Sequence, residues 1–256
     1  MAFFPHFIRN DEYLLPYKNK IIQTLSLSFQ AEAYFVENYN EILKDKINGH
    51  LFYGVHLHEN NFIFREWIEN ATAVYLLCDK SKWEKNPDFK FHPIGNGNWE
   101  FQISKDILKH ADFYKIWVEW EGGCGERIPA WAYRVVQDDV SRLFSAQLWF
   151  PERQYQWKNA NPARSSSVLI YEAHIGMALE DGKVSSYSEF RKFILPKIHE
   201  AGYTVLQLMA IQEHPYYGSF GYHVSSFFAA SSRFGTPEEL KELIDEAHGL
   251  GIMVVM

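Results

Sequence analysis

The chain has 256 residues, 47% of them hydrophobic, with 25 Lys and Arg against 32 Asp and Glu for a net charge of −7. These figures exclude disorder, collagen and coiled coil, and leave room for one or two globular domains with a real core. No apolar run approaches the ~18 residues of a membrane span, and the opening Met1-Ala2-Phe3-Phe4-Pro5-His6 lacks a basic region followed by an apolar stretch, so no membrane partner and a cytoplasmic location are expected.

Residues 1–49 read as an N-terminal helical segment. Ile21, Leu25, Phe29, Phe35, Tyr39, Ile42 and Leu43 recur at three- and four-residue steps, which predicts one amphipathic helix, or two short ones, over 20–47 with Gly49 as its stop. Residues 50–150 change texture. Apolar, β-branched and aromatic runs at 52–57, 62–67, 73–77, 99–103, 114–119 and 132–136 alternate with turn signals such as Asn60-Asn61, Gly95-Asn96-Gly97-Asn98 and Gly122-Gly123. That spacing predicts an antiparallel β-sandwich. The polar stretch 151–167 reads as a linker.

From Val168 the pattern becomes strand, helix, strand, helix, strand. A buried-type strand at 168–174 precedes a capping box, Ser186 with Glu189, that opens a helix with Phe190, Phe193, Ile194 and Ile198 on its apolar face. Pro196 is expected to kink or split that helix. A second strand at 204–209 follows, then Thr236-Pro237-Glu238-Glu239 opens a helix lined by Leu240, Leu243, Ile244 and Ala247, and a third strand runs over 252–256. Such alternation means parallel βαβ units. A (β/α)8 barrel needs about 250 residues, so residues 168–256 are expected to form only the first three strands of an incomplete one.

Aromatic residues make up 17% of the chain, and all eight Trp fall between Trp67 and Trp157. Residues 1–164 are net −2 and residues 165–256 net −5. Without a basic stripe to displace counterions from phosphates, nucleic acid is not expected as a partner, and a neutral ligand that stacks on rings fits better. The connection from Ala210 to Gly235 is 26 residues long, above the ~12–15 at which irregular loops in compact domains are usually functional. It also leaves the C-terminal end of a parallel strand, where such folds place their sites. Tyr222, between Gly221 and His223, is its candidate for a ring facing a sugar, since tyrosine joins a broad apolar face to a hydroxyl. Phe227 and Phe228 are expected to pack over the core, and His174 and His214 to be hydrogen-bonded at the mouth of the sheet. His56-x-His58 lacks a third ligand, so no metal is expected. Gly218-Ser219-Phe220-Gly221 is no nucleophile elbow and Gly123-Cys124-Gly125 no phosphate loop. Cys78 and Cys124 read as two buried or half-buried thiols.

The segments YEAHIGMA, LQLMAI, SFGYHVSSFFA and SSRFGTPEELK, matching almost without gaps from Tyr171 to Met256, closely resemble the first three barrel strands of 1,4-α-glucan branching enzymes. Those are the eukaryotic-like glycogen and starch type within the α-amylase superfamily. DEYLLPYKNKI, FREWIENATAVYLLCDKSKW and GNGNWEFQI resemble, more loosely, that family's N-terminal helix and starch-binding sandwich. The resemblance implies an N-terminal portion of an enzyme that cleaves α-1,4-glucan (glycogen, amylose or starch) and transfers the piece to a 6-hydroxyl, with no metal or organic cofactor. Such a retaining transfer needs two carboxylates about 5–5.5 Å apart. The resemblance puts the family's carboxylates on the fourth, fifth and seventh strands, so no catalytic residue is expected in this chain, which alone would be inactive; Glu172 and Glu213 are expected to be structural. It also implies that Tyr222 stacks on the sugar before the scissile bond, and that Trp67, Trp83 and Trp99 are the sandwich rings that meet glucan. Two departures stand out: His223 replaces the usual Gln, and Lys80-Ser81-Lys82-Trp83 replaces Phe-Asn-Gly-Trp. A non-catalytic glucan-binding module and a related debranching hydrolase stay open as alternatives.

Overall fold

The computed structural model describes residues 11–39, 48–163 and 167–256. It contains two compact units, Met1–Phe52 and Tyr53–Met256. In the first, a 3-10 turn at Leu15–Tyr17 leads into helix α1 (Lys18–Tyr39). The expected continuation through Ile42 and Leu43 lies outside the described residues. Gly49, expected as a stop, opens a further 3-10 turn at Gly49–Leu51.

The second unit begins with the sandwich. Its strands are β1 (Gly54–His58), β2 (Asn61–Trp67), β3 (Ala71–Cys78), β4 (His92–Gly95), β5 (Asn98–Ser104), β6 (Phe113–Trp120), β7 (Gly123–Arg127), β8 (Val135–Gln137) and β9 (Phe144–Gln147). One sheet has the order β1-β2-β5-β4 and the other β3-β6-β9-β8, with β7 also on β6. All of these pairings are antiparallel. The inward residues alternate along each strand as a half-buried pleat requires: Phe62 and Phe64 on β2, Trp99, Phe101 and Ile103 on β5, Tyr114, Ile116 and Val118 on β6.

Three strands escape the sequence reading for separate reasons. β4 contains Pro93 and Gly95, and β7 reads Gly-Cys-Gly-Glu-Arg with no apolar alternation, because its side chains are mostly exposed. β9 is four residues long and only Ala146 is buried. Cys124 lies on β7 and is exposed, while Cys78 is buried; the reading of two sheltered thiols therefore holds for Cys78 alone.

Beyond the sandwich come β10 (Ile170–Ala173), helices α2 (Tyr187–Phe193) and α3 (Leu195–Glu200), β11 (Val205–Leu208), the short pair β12 (Gln212–Glu213) and β13 (Ser226–Ala230), helix α4 (Pro237–Gly249) and β14 (Met253–Val255). β11 lies between β10 and β14 in a parallel three-stranded sheet. Both expected capping boxes form: the Ser186 and Thr236 side chains accept the Glu189 and Glu239 N–H groups, and each glutamate accepts in return. Pro196 splits the first helix instead of kinking it, so α3 starts with the proline in its first turn, where a missing N–H costs nothing. Phe190, Leu195, Leu206, Leu243 and Phe234 fill the core beneath the sheet.

Within the expected linker, residues 155–159 are tied to α4. Asp245 of α4, itself buried, accepts hydrogen bonds from the Tyr155 hydroxyl at 2.7 Å, the Lys158 N–H at 3.0 Å and the Asn159 N–H at 2.9 Å. Burial pushes its carboxyl up, but these donors, with the Asn159 side chain, outweigh it and bring the group down to about 2. A strap thus runs from the sandwich along α4.

Candidate carbohydrate-contact surfaces

Tyr222 sits on the connection between β12 and β13, whose base is held by one carboxylate. Buried Glu213 accepts from the Ser232 N–H at 2.7 Å and hydroxyl at 2.8 Å, from the Ser231 hydroxyl at 3.3 Å and from the His214 N–H at 3.1 Å. This saturation suits a structural carboxylate. At the tip, Ser219 donates its N–H and hydroxyl to the Tyr216 carbonyl, and the Tyr222 N–H returns to the Ser219 carbonyl at 3.0 Å. Gly221 has φ +87, and a Cβ there would lie 2.2 Å from the Ala210 carbonyl oxygen. Only glycine permits that approach. The tight turn leaves Tyr222 67% exposed.

The sandwich rings separate cleanly. Trp99 is 6% exposed and donates its indole N–H to the Ile68 carbonyl at 3.1 Å. It shares the inward face of β5 with Phe101 and Ile103, so the expectation that it meets glucan is corrected by strand alternation: its ring is core. Trp67 points to the opposite face of β2, 53% exposed, with its indole N–H on the Asn96 carbonyl at 3.0 Å. Gly97, at φ +77, lets the ring lie close against the β4–β5 turn; a Cβ there would come within 2.9 Å of the indole nitrogen. Beside it opens a groove of about 510 Å³ that also takes in Glu66, Ile68, Trp120 and Arg127. The Arg127 guanidinium lies 5.0 Å from the Trp120 ring centre. Glu66 is buried here, which pushes its carboxyl up to about 7 against the opposing N–H groups of Trp131 and Ala130.

Trp83 is 37% exposed and is fixed by a hydrogen bond from its indole N–H to Asp79 Oδ1 at 2.6 Å. Lys82 and Trp83 both have φ +57, an uncommon backbone for residues with side chains, and it turns the ring outward from the end of β3. Phe113, Val136, Asp138, Leu143 and Ser145 form with it a cleft of about 190 Å³. The N–H and hydroxyl of Ser141 hold the Asp138 carboxyl below the ordinary range. An oriented indole, apolar neighbours and one ionised carboxylate suit a pyranose, with stacking on its flat face and an acceptor for its hydroxyls. Phe113 and Leu143 escape the sequence reading because exposed apolar residues at strand ends carry no periodic signal.

The remaining expectations fare variously. Glu172 accepts from the Gln207 side chain at 2.8 Å. His56 lies 2.9 Å from the Tyr53 carbonyl, and among the described residues no group of three or more His, Cys, Asp or Glu could hold a metal ion. Among them, too, no helix is long and apolar enough to cross a membrane. Phe227 does not pack over the core but is 70% exposed, and Phe228 stacks on Trp131 of the sandwich. Among the described residues β13 pairs with the two-residue β12 and no other strand, so one of its edges carries no ladder. His214 is hydrogen-bonded as expected, with Nδ1 3.0 Å from the Gln212 carbonyl, although its Nε2 has no partner; His174 departs from expectation, since neither of its ring nitrogens has a hydrogen-bond partner.

Comparison with known proteins gives this geometry a context. Residues 52–134 match the family model for carbohydrate-binding module 48 (isoamylase N-terminal domain). The chain is 38% identical over 258 residues to a 1,4-alpha-glucan-branching enzyme of Dictyostelium discoideum, a match covering 97% of this chain and 37% of that protein. It is 40% identical over 263 residues to the enzyme of the same name from Rhizophagus irregularis, covering 98% and 38%. Among solved structures, a putative alpha amylase from Salmonella typhimurium superposes with a TM-score of 0.65 at 22% identity, over 80% of this chain and 32% of that one; that likeness speaks to the fold. The chain spans a little over a third of the length of the curated relatives it matches.

Proposed function

The chain is homologous to the N-terminal part of the 1,4-alpha-glucan-branching enzymes, and from that premise we propose that it binds α-1,4-glucan on its sandwich and presents the chain to a transferase site. In this reading, residues 1–49 are a helical segment, 50–150 the carbohydrate-binding sandwich, 151–167 a linker and 168–256 the opening strands of a (β/α)8 barrel. The β10-β11-β14 sheet is its first arc, and Tyr222 faces the sugar at the mouth.

The observation that carries the reading is Trp83. It is an exposed indole held in one orientation by Asp79 over an apolar cleft, and both it and Phe113 lie in the segment 52–134 that matches a carbohydrate-binding module. Trp67 gives the sandwich a second ring on its other sheet. The transfer itself would cleave an α-1,4 bond and pass the glucan to a 6-hydroxyl through two facing carboxylates. Glu213 is engaged by four donors and Glu172 by Gln207, so neither is placed to react, and the 256-residue chain alone is inactive in transfer.

Two measurements test the proposal. Titration of the chain with maltoheptaose should quench its tryptophan fluorescence saturably, less so in Trp83→Ala. Incubation with amylose should yield no new 1,6 linkages. Absence of any oligosaccharide binding, or appearance of branches, overturns the corresponding half.

A further inference from the structure

His174 follows β10 at the end of the sheet that carries the Tyr222 connection, and it is 8% exposed. Its ring is walled by three others edge-on: Tyr217 at 6.0 Å, Phe220 at 6.1 Å and Phe234 at 5.5 Å between centroids. Neither of its nitrogens is hydrogen-bonded. His214, fully buried, lies on the same Phe234 ring at 6.2 Å. Its Nδ1 is 3.0 Å from the Gln212 carbonyl, which assigns the ring proton to Nδ1 and leaves Nε2 an acceptor without a donor. Two buried imidazoles therefore share a ring-lined pocket beneath the loop.

We propose that His174 and His214 form an acid-operated latch, in which protonation of His174 expels its ring toward water and releases the loop that presents Tyr222. Apart from the carbonyls of His174 and Phe220, the groups around His174 offer an imidazolium no free acceptor. Glu213 already accepts from His214, Ser231 and Ser232. Arg233 donates to the His214 carbonyl and lies over the Tyr217 ring at 5.7 Å, adding positive charge. On the far side of Tyr217 and Phe220, Asp181 and Lys183 border a neighbouring cavity, and Lys183 is paired with Glu189. Tyr217 brings only its hydroxyl. Tyr217 and Phe220 belong to the exposed turn, so they yield more readily than Phe234, which is in the core.

Burial, and then the neighbouring His214, hold the His174 pKa below its ordinary 6.5, against a weak contrary pull from the carbonyls of His174 and Phe220. The sign follows. A histidine whose folded-state pKa is depressed favours the closed form at neutral pH and loses that advantage as pH falls through 6.5. Above that the loop is latched; below it the charged ring must find solvent.

Hydrogen exchange of the full 256-residue chain at pH 7.5 and 5.5, corrected for intrinsic rates, reads the latch without any glucan. Amides of residues 216–222 should lose protection at the lower pH, by up to about tenfold, while those of β11 hold. His174→Phe, which keeps a ring and removes the titration, should abolish the difference. An equal loss in that variant, or pH-independent protection in the wild type, overturns the proposal. If His174→Phe does not fold, the wild-type imidazole NMR titration decides. A His174 midpoint below 6.5 that coincides with the Tyr222 shift changes supports the latch, and a midpoint at or above 6.5, or an unrelated one, refutes it.

Discussion

Phe228 of β13 lies flat on Trp131, with ring centroids 3.9 Å apart and planes 11° from parallel. The Trp131 ring also stacks with Tyr53, at 5.1 Å, and the Trp131 backbone N–H donates to Glu66 at 3.2 Å. The strand that ends the Tyr222 connection is thereby fastened to the sandwich. Nearby, Arg134 donates to the Gly235 carbonyl at 3.1 Å while its guanidinium covers Trp149, whose indole N–H reaches Glu238 at 2.7 Å. The sandwich is thus joined to β13 and to the start of α4 by specific contacts.

Removing that stack should cost stability. Phe228→Ala is expected to lower the unfolding free energy by about 1–2 kcal/mol in urea titrations, from lost ring contact and apolar burial. Phe227→Ala, at the exposed neighbour, should stay within about 0.5 kcal/mol. Equal effects would contradict the joint.

Glu66 should make stability fall as pH rises. Its folded-state carboxyl titrates at about 7 against an ordinary 4.5, so the folded protein holds a proton that the unfolded chain releases, and this contribution fades between pH 4.5 and 7. Glu66→Gln keeps an acceptor for Trp131 and removes the titration. Relative to the variant, the wild type should lose about 2 kcal/mol between pH 5 and 8, measured by urea unfolding at both; parallel behaviour of the two proteins would refute the assignment.

Asp245 has the opposite sign. Its depressed pKa gives stability that is complete above the ordinary carboxylate range and is lost as pH falls toward 2. Asp245→Asn should free the strap, read as new protease cleavage within residues 152–163 at neutral pH. An unchanged digestion pattern would show that the strap is held by other contacts.

Much of this was readable from residue pattern because local rules and the fold agree. Both capping boxes, the βαβ order, the alternation of Phe62, Phe64, Phe101 and Ile103, and the turn at Gly95 to Asn98 all follow from short-range chemistry. The same alternation marks Trp99 as core, since it keeps step with Phe101. What escaped depends on distant partners. Asp245 organises the strap from almost ninety residues away, Phe228 finds Trp131 from almost a hundred residues away in sequence, and the unpartnered nitrogens of His174 exist only once Tyr217, Phe220 and Phe234 have closed around it. The exposure of Tyr222 was legible from Gly221 and the length of its loop. The Trp83 cleft was only half legible, because Phe113 and Leu143 join it through sheet geometry.

Co-sedimentation of the 256-residue chain with glycogen, comparing the wild type, Trp83→Ala, Trp67→Ala and the double variant, tests the central claim most directly. The wild type should pellet with glycogen, each single variant should bind about tenfold more weakly, and the double variant should stay in solution while unfolding at the wild-type urea midpoint. A wild type that remains in the supernatant, or a folded double variant that pellets as well as the wild type, would contradict glucan binding by these rings.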